Sequence, residues 1–255
     1  MAVAAMRLMA AARAVLAILL ARGRSRSKSG ARARPSVAAH PSLGVVVQQV
    51  KTAKPLPRPQ GQPAAAPLSF SFLSLNTARQ TALGGLATLL DQLPQLPVLI
   101  FLQEVTMAAG RLKEVADRLG FILHVSPPAP DSDRQLVFMY RTAERPIVTD
   151  VAPGFAQLVS FPSIAFLHVH APAGTNKVAE RDAFFRGDVA YALAASPSPP
   201  VLIGDFNCVL RPQDTEANYH QKRSPPLAAL VADSHLTDAF LHLHPDGPEL
   251  YTISS

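Results

Sequence analysis

The residues best suited to chemistry follow one short apolar run, in the segment Pro-Val-Leu-Ile-Gly-Asp-Phe-Asn at 200–207. The run is aliphatic and lies between a proline and a glycine, which predicts a strand buried on both faces. On an extended backbone Asp205 and Asn207 point to the same side, because side chains alternate along a strand. A carboxylate there can take a proton from water and an amide can hold a neighbouring oxygen. Asp and Asn after a strand are also common turn residues, so a simple turn is the alternative.

Two apolar runs upstream also end in polar residues. Val98 to Leu102 is followed by Gln103 and Glu104, and the alternating run Phe70 to Leu75 is followed by Asn76. Three strands that end in Asn, Glu and Asp-x-Asn predict one polar cluster at one rim of a sheet. Oxygen ligands of this kind suit a hard cation such as Mg²⁺, held by one or two carboxylates together with a substrate phosphate.

The order of these motifs resembles a known group of hydrolases. Leu75-Asn76, Leu102-Gln103-Glu104 and Gly204-Asp205-Phe206-Asn207, taken in that order, are similar to the motifs of the endonuclease/exonuclease/phosphatase superfamily. A narrower resemblance, to the apurinic-type endonuclease domain of non-LTR (LINE-type) retrotransposons, rests on Gly204 to Leu210, Asp214, Lys222-Arg223-Ser224, Leu236 to Phe240, His244-Pro245 and Tyr251-Thr252. The similarity extends over roughly residues 67–252.

The resemblance implies an α/β fold, a four-layer α-β-β-α sandwich with two mixed β-sheets face to face and helices outside. It also implies hydrolysis of a DNA phosphodiester bond with Mg²⁺, or alternatively Mn²⁺, as cofactor. Asp205 would orient or deprotonate the attacking water, and Asn207 would hold the phosphate or Asp205. Glu104 would bind the metal, with Asn76 in support; Asn76 can equally cap the helix predicted after it.

A histidine occupies another position of the retrotransposon pattern. In those endonucleases a tyrosine precedes an Ala-Pro pair, and here His170 precedes Ala171-Pro172. Imidazole can still donate to a phosphate oxygen, so we count His170 among the catalytic candidates. The alternative is that His168 and His170, two positions apart, simply face solvent. A zinc site is not indicated, because a third ligand at a suitable spacing is missing.

Substrate contacts are predicted at two further residues. Arg79 lies in the first turn of a predicted helix and can meet a phosphate, although a single arginine there is usually just solvated. Asn176 stands at the start of a later predicted helix, at 176–195, and is the second substrate-binding candidate.

The C-terminal part of the resemblance is incomplete. The superfamily pattern ends in a late segment with an Asp and a catalytic His, and nothing after Thr252 matches it. We therefore expect the last strands of one sheet to be missing and the activity to be absent or impaired. Two alternatives stay open: a non-catalytic remnant or binding protein that keeps the fold, and a superfamily phosphatase or phosphodiesterase that acts on a non-DNA phosphoester.

The N-terminal segment differs in composition from the rest. No acidic residue precedes Asp91, whereas twelve of the 24 Lys and Arg residues do, so the remainder has twelve basic residues against 18 acidic ones. The basic charge thus belongs to the leader, and the high pI is no evidence that the domain itself binds nucleic acid. We predict a low-complexity, disordered basic leader and linker at 1–66 and an endonuclease/exonuclease/phosphatase domain at 67–255, incomplete at its C-terminus.

Three interpretations of the leader compete. Its Arg-rich, acid-free composition fits a mitochondrial presequence, and a secretory signal fits more loosely because Arg13 interrupts the apolar part. An unused, disordered extension would leave the protein nuclear or cytoplasmic. The apolar run Ala14 to Ala21 is too short to span a bilayer, so no transmembrane segment is predicted. The single Cys excludes an internal disulfide, and nothing in the sequence indicates a stable protein partner.

Overall fold

A computed structural model of the chain describes residues 46–51, 69–77, 90, 93, 95–130, 132–210 and 223–239. Its strands are β1 (Val46–Lys51), β2 (Ser69–Asn76), β3 (Leu99–Val105), β4 (Ile122–Val125), β5 (Gln135–Tyr140), β6 (Ile147–Ala152), β7 (Ala156–Ser160), β8 (Ala165–His170) and β9 (Pro200–Asp205). The helices are α1 (Ala109–Arg118), α2 (Val178–Phe184), α3 (Ala190–Ala194) and α4 (Pro225–Asp233). A 3-10 turn at Thr175–Lys177 precedes α2, and a π-helical turn at Phe185–Val189 joins α2 to α3.

The described strands form two mixed sheets. The first has the order β1-β2-β3-β5-β4, with β2 and β3 parallel and the other neighbours antiparallel. The second has the order β6-β7-β8-β9, with β8 and β9 parallel. Each sheet therefore contains one parallel pair whose carboxyl ends lie at the same edge.

Three apolar clusters show how the layers are stacked. One lies between the sheets and is built on aromatic residues of both, including Phe72, Phe101 and Phe166. A second joins the outer face of the first sheet to α1 through residues such as Leu112, and a third joins the second sheet to the helical segment 178–194 and to α4. The order is helix, sheet, sheet, helix, which confirms the predicted α-β-β-α sandwich.

The central strands are buried on both faces, which explains their nearly continuous apolar sequences. All six residues of β8 are buried, as are five of the six in β5, whereas the edge strand β6 has two exposed and four half-buried residues. The helical segment 178–194 covers the second sheet with Phe184, Phe185 and Val189. Within the described ranges, no helix combines the length and hydropathy needed to cross a membrane.

One strand falls inside the segment predicted to be a disordered leader. β1, at 46–51, pairs antiparallel with β2 and forms an edge of the first sheet. The predicted domain boundary at residue 67 is wrong at this strand, because long-range pairing recruits a β-branched stretch that composition alone assigned to the leader. For the other residues of 1–66, which lie outside the described residues, the leader stays a prediction.

Candidate metal and catalytic site

Four strands, two from each sheet, end at one rim between the sheets. Asn76 is the last residue of β2 and Glu104 the penultimate residue of β3, which run parallel. His170 and Asp205 are the last residues of β8 and β9, which are also parallel and pair His170 directly with Asp205. The structure thus brings together four of the residues that the sequence singled out.

The space between the sheets changes from apolar to polar toward this rim. The inward side chains begin with an aromatic layer, in which Phe101 and Phe166 have ring centroids 5.3 Å apart. Two positions further along each strand lies a buried polar layer of Ser74, Gln103 and His168. The rim residues form the next layer, because side chains on one face of a strand recur every second residue.

Gln103 connects the members of the buried polar layer. Its Nε2 lies 3.2 Å from the Phe101 carbonyl oxygen, 3.2 Å from Ser74 Oγ and 2.7 Å from His168 Nε2, so its two N–H groups are shared among three neighbouring acceptors. Because an amide nitrogen only donates, His168 Nε2 is an acceptor without a proton in this contact. Burial, with a smaller effect from His170, lowers the pKa of His168 to about 3, so its ring is neutral at physiological pH.

A bulge in β3 turns Glu104 toward the rim. The pairing with β5 shifts by one residue between Leu102 and Val105, and Glu104 has a φ of +54°. Strict alternation would direct Glu104 to the helix-facing side, where Val105 packs instead. The extra residue re-aims the acid, as bulges next to functional sites do. Thr77 holds the bulge, because its Oγ1 lies 3.0 Å from the Gln103 carbonyl and 3.1 Å from that of Glu104.

Close contact between β8 and β9 places Asp205. Gly204 has a φ of +132°, and a Cβ there would lie 1.9 Å from the Val169 carbonyl oxygen, so only glycine fits. The Asp205 carboxylate then accepts from the backbone N–H of Asn207 at 2.9 Å. Asn207 has a φ of +49°, which asparagine tolerates well, and its Nδ2 donates to the Ala171 carbonyl at 2.8 Å. The predicted turn and the predicted site therefore coexist.

The rim residues form one connected cluster. Asn76 Nδ2 lies 2.6 Å from Asp205 Oδ2 and 3.3 Å from Glu104 Oε1, so one amide joins the two carboxylates. His170 Nε2 lies 3.2 Å from the same Glu104 oxygen. Glu104, His170 and Asp205 each offer a ligand atom, and these atoms all lie within 4.8 Å of one another. Two carboxylates and an imidazole in this space could hold a divalent cation.

Neither of the two histidines faces solvent, so that alternative is wrong. His168 is fully buried and His170 is 1% exposed, because the first sheet covers the inward face of β8. The His170 ring stacks on Phe155 with centroids 6.3 Å apart, and its backbone N–H donates to the Phe155 carbonyl at 2.8 Å.

The structure assigns neither of the two predicted substrate contacts to the rim. Arg79 lies outside the described residues. Asn176 is exposed in the 3-10 turn after β8, and the hydrogen bonds described for the rim do not include it. Its role stays a prediction.

Residues that the sequence analysis did not assign to the site hold the rim residues and the adjoining loop in position. Gln103 and Thr77, described above, fix His168 and the bulge. Arg181 is buried, and its Nη1 donates to the carbonyls of Pro172 and Gly174 in the loop after His170, at 3.2 and 3.4 Å. A signal for its burial was present, since Arg181 precedes the buried Phe184 and Phe185 at helical spacings of three and four.

Comparison with known proteins gives the fold but no close relative. No family profile and no curated protein matches the sequence. A 3′ phosphatase, NExo, from Neisseria bound to a product DNA hairpin is 16% identical, with a TM-score of 0.52 over 66% of this chain and 73% of that one. The 3′-5′ exonuclease NExo from Neisseria meningitidis is 17% identical, with a TM-score of 0.52 over 65% and 71% of the two chains.

An AP endonuclease from Archaeoglobus fulgidus is also similar, at 16% identity and a TM-score of 0.48; the alignment covers 59% of this chain and 65% of the endonuclease. The chain thus spans about two thirds of that protein. With its two facing sheets and outer helices, the chain has an endonuclease/exonuclease/phosphatase-type fold.

Proposed function

We propose that the chain is a metal-dependent phosphodiester hydrolase that nicks DNA, of the retrotransposon-endonuclease type. One observation carries the proposal: Glu104, His170 and Asp205 converge at the joint rim of the two sheets, with ligand atoms within 4.8 Å of one another. Residues from four strands separated by up to 129 positions meet there, which local turn preferences alone do not explain.

The residues at the rim fit a divalent cation. Two carboxylates close together repel each other strongly in a partly buried site unless positive charge or hydrogen-bond donors lie between them. The Asn76 side-chain amide donates to both carboxylates, and Glu104 and Asp205 would hold the ion next to this amide. When bound, the ion supplies positive charge for the phosphate oxygens and for the oxygen that leaves.

Asp205 is placed to take a proton from the attacking water. Asn76 and the backbone of Asn207 each donate one hydrogen bond to its carboxylate, one to each oxygen. These bonds fix the orientation of the group, and each oxygen keeps a further lone-pair direction for water or metal. The geometry favours a role for Asn207 in holding Asp205, because its backbone N–H and its side chain are both engaged within the protein.

Two lines of support point to DNA as the substrate. The ordered motifs resemble retrotransposon endonucleases, and one protein of the same fold is described as bound to a DNA hairpin. The late Asp and His segment is expected to be absent after Thr252, a stretch that lies outside the described residues. The nicking assay measures the effect on catalysis.

Nicking of supercoiled plasmid by the full chain tests the proposal. We expect relaxed circles with Mg²⁺ or Mn²⁺ and none with EDTA. Asp205→Asn should lower the nicking rate about 10²- to 10⁴-fold, as expected for loss of a proton acceptor. Glu104→Gln should also lower the rate, because it weakens metal binding. Glu114→Gln, on the exposed face of α1, removes an equal charge away from the rim and should leave the rate unchanged.

Two other results would replace this function by one of its alternatives. Cleavage of bis-p-nitrophenyl phosphate that depends on Asp205, without any nicking, would identify a phosphodiesterase for another phosphoester. No cleavage of either substrate above the level of the two site variants would identify a non-catalytic protein that keeps the fold.

A further inference from the structure

His170 occupies an unusual position for a buried polar side chain. It is 1% exposed, and its Nε2 lies 3.2 Å from Glu104 Oε1. Despite this distance, neither ring nitrogen makes a well-aligned hydrogen bond to any described residue. Buried polar atoms are nearly always satisfied, so the imidazole requires a partner that hydrogen bonding within the described protein does not supply.

The distance and the misalignment are both explained by a shared cation. Two ligand atoms about 2.1 Å from one ion, at angles of 90 to 110° to each other, lie roughly 3.0–3.5 Å apart. Their lone pairs then point at the ion and not at each other. A protonated imidazole that simply neutralised Glu104 would instead direct its N–H at the carboxylate oxygen.

Asp205 completes the donor set from the opposite strand of the parallel pair. It faces His170 in the β8–β9 register, and its ligand atom lies within 4.8 Å of those of His170 and Glu104. The three donors come from the ends of three strands on one side of the rim. They leave other positions of an ion open to water and substrate, as in sites with one to three protein ligands.

We propose that His170 is a metal ligand and that, with Glu104 and Asp205, it makes this site selective for a first-row transition ion such as Mn²⁺ over Mg²⁺. The inference rests on the proposed metal-dependent function and specifies its cofactor. Mg²⁺ strongly prefers oxygen ligands and octahedral geometry, whereas imidazole nitrogen suits transition ions, whose affinity for nitrogen donors rises along the first row.

The imidazole is held ready for this role. The Phe155 ring stacks on it at an interplanar angle of 18°, and the hydrogen bond from its own backbone N–H to Phe155 fixes the end of β8. A ligand whose position is fixed by packing loses little freedom when the ion binds.

The first test is metal binding by the full chain without substrate. Free Mn²⁺ is measured by electron paramagnetic resonance, and Mg²⁺ is added as competitor. We expect Mn²⁺ to bind at least ~10-fold more tightly than Mg²⁺, and His170→Gln to weaken Mn²⁺ about 10- to 100-fold while changing Mg²⁺ less than about 3-fold. The control is His124→Gln, which removes the other described histidine beside an acid, 3.5 Å from Asp150, and should change neither affinity.

A second measurement needs no variant and covers the case in which His170→Gln fails to fold. Electron spin echo modulation of Mn²⁺ bound to the wild-type chain should show ¹⁴N coupling from one directly bound imidazole. Absence of that coupling, or equal affinity for the two ions, overturns the inference. Nicking whose dependence on Mn²⁺ concentration is unaffected by His170→Gln would also overturn the inference while the proposed function stands. Selective Mn²⁺ binding without nicking would leave the inference in place and remove the function.

Discussion

Among the described glycines, Gly204 is the one at which an added methyl group should lower the stability of the fold most. Its φ of +132° lies in a region that L side chains rarely adopt, and an added Cβ would lie 1.9 Å from the Val169 oxygen and 2.9 Å from its carbonyl carbon. These are backbone atoms of β8, so no side-chain rotation can relieve the overlap. Gly204→Ala therefore has to pull β9 away from β8, immediately before Asp205.

The size of the effect follows from two contributions. Holding a non-glycine residue in such a backbone region costs on the order of 1–3 kcal/mol. Separating the strands locally also weakens one or two ladder hydrogen bonds, each with a net contribution of about 0.5–1.5 kcal/mol. We expect a loss of roughly 3–5 kcal/mol, which for a domain of this size corresponds to a fall in Tm of about 10 °C or more.

Urea and thermal unfolding of the full chain, followed by circular dichroism, measure this loss. The matched control is Gly110→Ala on the exposed side of α1, where a Cβ would meet nothing within 4 Å. That change should stabilise by up to about 1 kcal/mol, since alanine favours helix. If Gly204→Ala costs less than about 1 kcal/mol, the two strands do not approach as closely as described, and the account of how Asp205 is positioned fails.

Three further predictions follow from buried polar groups. The pKa of His168 is about 3 in the folded chain and near 6.5 in the unfolded chain, so its contribution to the free energy of unfolding is fully present above pH 6.5 and falls by up to about 1.4 kcal/mol per pH unit toward pH 3. His168→Gln should flatten this pH dependence in unfolding experiments, and an unchanged slope would refute the prediction. Desolvation of the half-buried Cys208 raises the pKa of its thiol to about 12, so iodoacetamide at pH 8 should alkylate the folded chain at least about 10²-fold more slowly than the unfolded chain. Equal rates would contradict the raised pKa. Ser224→Ala should cost about 1 kcal/mol, because Ser224 Oγ caps α4 by accepting from Leu227 N–H at 3.4 Å and donates to Asp182 at 2.7 Å; Ser224→Thr, which keeps the hydroxyl, should retain most of that stability.

Features encoded locally were predictable from the sequence. The apolar run Val98 to Leu102 predicted most of β3, and the pattern at 176–195 predicted the helical segment observed at 178–194. Strand interiors and amphipathic helices leave a short-range hydrophobic period, so these elements need no knowledge of their neighbours. The meeting of Asn76 and Glu104 was also predictable, because the carboxyl ends of the parallel strands β2 and β3 share an edge, whereas Asp205 reaches the same rim from the other sheet.

Features that depend on distant partners were not predictable from local patterns. The burial of His168 and His170 requires the first sheet above them, and a His-x-His pattern by itself does not reveal a covering layer. The bulge at Glu104 appears only in the pairing with β5, and β1 belongs to the domain only through its pairing with β2. In each case the deciding interaction joins residues far apart in sequence.

The buried polar layer also has a mechanical consequence, because the rim residues belong to two different sheets. Asn76 and Glu104 move with one sheet and His170 and Asp205 with the other, so sliding of the sheets would pull the site apart. A slip of one repeat, two residues or about 7 Å, would set either the Gln103 amide or the His168 ring against a phenylalanine, depending on its direction, and would break the buried contact between them at a cost of about 1–3 kcal/mol. The contact between Gln103 and His168 therefore resists sliding of one sheet past the other and keeps the two halves of the site aligned.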